Sequence, residues 1–176
     1  MPITWIDVVD TAIKIGLGAA ISGVTAVFIA KQSHDKSVEK EYLQKKVSVL
    51  QDVTSDIEEI VHVVFRFYSA ILDWTRALEQ GNKNTEEKDK NIKELRAEIF
   101  ARFKGLTVAE GRLLLMNCKE QQIAVRNFGQ LLSEFYSSSS RASNKLSSED
   151  LKAWRIRILD ERDSLYKALG EAYRSA

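Results

Sequence analysis

The 176-residue sequence has few of the residues that interrupt helices or form disulfides. It contains one proline, at position 2, and eight glycines, too few for the many tight turns of an all-β fold. Its single cysteine, Cys118, excludes an intramolecular disulfide framework and a cysteine-rich zinc site, and it suits a reducing compartment. These absences predict an all-α protein.

An excess of charge of one sign is also missing. The 26 basic and 25 acidic residues give a net charge of +1, without a bias toward nucleic acid or another polyanion. The sequence contains no glycine-rich phosphate loop, no nucleophile elbow and no zinc-ligand spacing. We therefore expect a protein that is not an enzyme, has no catalytic residues, cofactor or metal, and does not bind nucleic acid.

One long uncharged run stands out near the N-terminus. Residues 15–30 carry no charge and are flanked by Lys14 and Lys31. As a helix the run rises about 24 Å, less than the roughly 30 Å of a bilayer's hydrocarbon core, but lysine side chains can reach outward at both ends. The run predicts a single-pass transmembrane helix, in contact with membrane lipid, within a first segment of residues 1–32.

Three other interpretations of this run remain open. They are a buried core helix, a helix lying flat on a membrane, and a cleaved signal peptide, although the last would not have Asp7 and Asp10 before its apolar region. Lysines are concentrated after the run, which by the positive-inside rule predicts an outside N-terminus and a cytosolic C-terminal part. These lysines are Lys31, Lys36, Lys40, Lys45 and Lys46.

Small residues recur inside the run at the spacing of one helix face. Such rows allow helix backbones to approach closely in lipid, so they predict homo-oligomerisation. The predicted oligomerisation face consists of Gly16, Gly18, Ser22, Ala26 and Ala30.

Ionisable residues precede the run. Asp10 and Lys14 are four residues apart on one predicted helix face, with Asp7 one turn earlier. If this turn lies in the bilayer, these residues predict a pore lining or a polar contact between subunits. An oligomeric pore-forming or membrane-permeabilising effector is therefore the alternative function.

Residues 33–80 contain neither proline nor glycine and show a seven-residue apolar repeat. A second apolar row, which includes Ile60 and Phe67, widens the buried arc beyond that of a two-stranded coiled coil. The sequence thus predicts that residues 33–176 form a coiled-coil-like antiparallel bundle of three or four helices. The predicted seam of the first helix is Leu43, Leu50, Ile57, Val64, Ile71 and Leu78.

Local signals predict where the helices begin and end. Gly81 suits a left-handed cap, and Thr85 followed by two glutamates suits the start of the second helix. Gly105 before Thr107-Val-Ala-Glu110, a capping-box pattern, predicts a break and a third helix, lined by residues that include Leu113, Leu114 and Ile123. The alternative is that Gly105 lies inside one uninterrupted helix. Residues 137–146 are a serine-rich predicted linker, and Ser147 with Asp150 predicts a last helix that reaches about Tyr173.

One motif resembles a metal site in its spacing. Glu59-Ile-Val-His62 is a Glu-x-x-His sequence, as in the di-iron proteins built on helical bundles. The only other histidine, His34, lacks the matching glutamate, so a di-iron carboxylate enzyme would require a homodimer. Cys118 is predicted to be a partly buried, inert thiol.

The function favoured by these patterns is that of a membrane-anchored bundle. We expect a single-pass membrane protein that homo-oligomerises and acts as a scaffold, sensor or adaptor through contacts with a further protein. The pore-forming effector is the main alternative. A soluble helical adaptor and the di-iron enzyme are less favoured.

Overall fold

The computed structural model describes residues 5–83, 85–140 and 146–174, with side chains described from residue 37 onward. The described residues form four helices and no strand: α1 (Trp5–Glu79), α2 (Glu86–Leu115), α3 (Lys119–Ser140) and α4 (Ser148–Arg174). The predictions of an all-α fold and of a helical bundle are confirmed. The chain divides into two compact units, Met1–Lys45 and Lys46–Ala176, and the second contains the bundle.

Polar contacts between neighbouring helices establish the topology of the bundle unit. Each consecutive pair of helices is antiparallel, and α4 returns to pack beside α1, which gives an up-down-up-down arrangement. The contacts that fix this order are Arg66–Glu98 and Arg112–Asp56 between α1 and α2, Arg126–Glu110 between α2 and α3, Arg157–Glu134 and Gln121–Ala168 between α3 and α4, and Arg162–Glu58 and Ser148–Glu79 between α4 and α1.

Aromatic side chains fill the middle of the bundle. Phe67, Phe128 and Phe135 are the largest fully buried side chains. The ring of Phe135 lies 5.9 Å from that of Phe67 on α1 and 5.7 Å from that of Trp154 on α4, measured between centroids. This cluster therefore joins three of the four helices in one core.

Three predicted helix ends are confirmed. Gly81 follows α1 with a φ of 76°, a conformation that favours glycine. Thr85 caps α2, where its side chain accepts a hydrogen bond from the backbone N–H of Lys88. At the start of α4, Ser147 Oγ accepts from the N–H of Asp150, and the Asp150 carboxylate accepts from the N–H of Ser147.

The predicted break at Gly105 is wrong. α2 continues through this glycine to Leu115, and the turn comes later, at residues 116–118. There Asn117 takes a left-handed φ of 56°, and the N–H of Cys118 donates to Leu113 O at 2.9 Å. Asparagine tolerates this conformation better than other residues with a Cβ, so it can end a helix as glycine does.

The serine-rich segment also differs from its prediction as a linker. Residues 137–140 belong to the last turn of α3, where Ser139 Oγ donates to Phe135 O at 2.7 Å. The hydroxyl thus finds its partner within the helix, which lets serine occupy this buried position. Residues 141–145 of the predicted linker lie outside the described residues.

In the part of the chain that the structure describes, no helix is both long enough and apolar enough to cross a membrane. The predicted span at residues 15–30, with its small-residue face, falls where side chains are not described, as do Asp7, Asp10 and Lys14. The transmembrane helix, its oligomerisation face and the polar contact therefore remain predictions.

Candidate functional site

Apolar side chains are exposed on the side of α2 that faces away from the core. Phe100 is 71% exposed, Val108 40% and Leu115 86%. They are eight and seven residues apart, so they share one helix face, on which Lys104 and Gly111 also lie. We call these five residues the α2 outer face.

The outer face is separate from the side of α2 that packs in the bundle. The packed side is buried and consists of Leu95, Ile99, Leu106, Ala109 and Leu113. α2 is therefore apolar on two sides, whereas a helix at the edge of an isolated bundle needs only one apolar side. Exposed apolar side chains that share one helix face can form part of a surface that binds another helix.

Ion pairs border the outer face on the side of α1. Arg102 pairs with Glu59, and Arg112 lies 3.1 Å from Asp56. Burial, the largest effect, raises the pKa of Asp56 above its ordinary value, against the opposing charge of Arg112. These charges are thus already matched within the chain.

Another polar contact borders the outer face on the side of α3. Glu110 accepts hydrogen bonds from Gln122 at 2.7 Å and from Arg126 at 2.9 Å. Lys104, by contrast, has no ion pair among the described residues. The outer face therefore presents one unmatched cation among apolar side chains.

A groove between α1 and α4 is the second candidate site. It has a volume of about 340 Å³, and Leu50, Leu169 and Tyr173 supply much of its apolar wall. The hydroxyl of Thr54, which also lines it, donates to Leu50 O at 2.8 Å. The groove resembles a small apolar ligand site in volume, but it offers few polar groups to orient a ligand.

Next to this groove, three side chains form a hydrogen-bonded cluster. The hydroxyl of Tyr166 donates to Glu58, Arg162 donates to the same carboxylate at 3.1 Å, and the guanidinium of Arg162 lies 4.9 Å from the centre of the Tyr166 ring. The hydrogen bond from Tyr166, the largest effect, lowers the pKa of Glu58. Burial, followed by the contact with Glu58, raises the pKa of Tyr166.

We expect Tyr166→Phe to lower the stability of the bundle most at neutral pH. Because the pKa of Glu58 is lowered from 4.5 in the folded protein, its stabilising effect is present above that value and is lost as the pH falls through the folded pKa. The pKa of Tyr166 is raised from 10.0, so its contribution is fully present below pH 10 and is lost progressively as the pH rises from 10 through the folded pKa. Urea unfolding measured from acid to alkaline pH should show that the free energies of unfolding of the variant and of the original protein differ most near neutral pH. They should approach each other at both extremes of pH.

Tyr173→Phe is the matched control, since Tyr173 lies on the same helix and is 50% exposed. It should follow the original protein at every pH. A difference between Tyr166→Phe and the original protein that is constant from acid to alkaline pH would contradict the assigned hydrogen bond.

Among the side chains that the structure describes, the Glu-x-x-His motif is not joined by other metal ligands. Glu59 pairs with Arg102, and His62 is exposed. Within the described ranges, no three histidine, cysteine, aspartate or glutamate side chains are grouped so that they could hold a metal ion. Cys118 is buried, and its thiol donates weakly to Met116 O at 3.5 Å.

Most residues of the predicted seam of α1 are buried in the bundle. Leu50, Ile57, Val64 and Ile71 are buried, whereas Leu43 is half-buried and Leu78 is 40% exposed. These two are the first and the last residues of the predicted seam.

Sequence reasoning missed the α2 outer face. It assigned Leu114 and Ile123 to a buried lining, but they are 53% and 43% exposed. Phe100, Val108 and Leu115 were left unassigned, although their common spacing was a signal that α2 has more apolar positions than one packed side can use.

Comparison with known proteins identifies no family for this chain. No protein-family model, curated protein or solved structure matches the chain.

Proposed function

We propose that the chain is a non-enzymatic, single-pass membrane protein that homo-oligomerises and whose helical bundle acts through protein–protein contacts, as a scaffold, sensor or adaptor. The observation that carries this proposal is the α2 outer face. Its exposed apolar side chains lie on the rigid surface of a helix, where they can bind another helix without any rearrangement of the core.

The membrane anchor in this proposal is residues 15–30. Support comes from the uncharged run and from the lysines that flank it. The proposed orientation has the N-terminus outside and the bundle in the cytosol, and the excess of lysine after the run supports it by the positive-inside rule. The small residues from Gly16 to Ala30 provide a surface along which several copies can associate in lipid.

Extraction with alkaline carbonate tests the anchor. We expect the full chain to stay in the membrane pellet and to be released only by detergent. Arginines at the centre of the run, in the double variant Ile21→Arg with Val24→Arg, cost about 5–7 kcal/mol of insertion free energy and should move the chain to the supernatant.

The matched control is Ile21→Leu with Val24→Leu, which keeps the run apolar and should behave as the original chain. Release of the original chain by carbonate would show that residues 15–30 do not cross a bilayer, and the proposal of a membrane protein would then be wrong.

A further inference from the structure

We draw no further inference here: the strongest candidate, the apolar groove of about 340 Å³ between α1 and α4 that Leu50, Leu169 and Tyr173 line, carries none because nothing in the structure shows what fills it.

Discussion

Phe135→Ala lowers the free energy of unfolding of the bundle by about 3–5 kcal/mol, the usual range for a buried phenylalanine. Phe135 is 1% exposed and contacts both Phe67 and Trp154. The variant therefore loses the apolar surface of the ring, two aromatic contacts, and the filling of a cavity among three helices. Urea unfolding followed by circular dichroism measures the change.

Phe100→Ala is the matched control, because it makes the same change in chemistry on the surface. Phe100 is 71% exposed, so its removal should change the stability of a monomer by less than about 0.5 kcal/mol. Equal effects of the two substitutions would contradict the placement of Phe135 in the core and of Phe100 on the outer face.

Gly105→Pro lowers the free energy of unfolding by about 3 kcal/mol or more, whereas Gly105→Ala raises it by about 0.5–1 kcal/mol. The opposite signs follow from the continuity of α2. Proline removes a hydrogen bond within the helix and collides with the preceding turn. Alanine favours helix, and its Cβ would lie 3.8 Å from the Cβ of Asp56, an ordinary contact distance.

The same pair of variants distinguishes α2 from the two helices predicted by the sequence. With a break at Gly105, proline near a new helix start would be tolerated and alanine would bring little gain. Thermal unfolding of both variants decides between the two arrangements, and tolerance of Gly105→Pro would mean that α2 is interrupted.

Helix ends that are capped by residues close in sequence were predictable from the sequence. Gly81, Thr85 and the pair Ser147 and Asp150 each satisfy backbone groups at a helix end through their own conformation or side chain. These interactions involve residues at most five positions apart, so they require no knowledge of the tertiary fold.

The error at Gly105 came from packing over a longer range. A glycine before a capping-box pattern is a common signal for a helix start, but Leu106, Ala109 and Leu113 continue the buried side begun by Leu95 and Ile99. Their burial outweighs the roughly 1 kcal/mol that glycine costs within a helix. Sequence periodicity alone did not reveal which of the two effects is larger.

The α2 outer face was missed for a related reason. A pattern of apolar residues shows that a helix has apolar sides, but not how many neighbours cover them. Leu114 and Ile123 were assigned to the core because they are apolar, whereas they are 53% and 43% exposed in the bundle. Only the positions of α1 and α3 beside α2 show which side is left uncovered.

The up-down-up-down topology also has a consequence for how the bundle forms. Each of the first three helices packs against the next along the chain, so most native contacts close short loops and the relative contact order is low. The exception is the return of α4 to α1, where Arg162 meets Glu58 across 104 positions. Rapid folding is therefore the expected behaviour, with the entropic cost of bringing distant segments together confined mainly to this last interface.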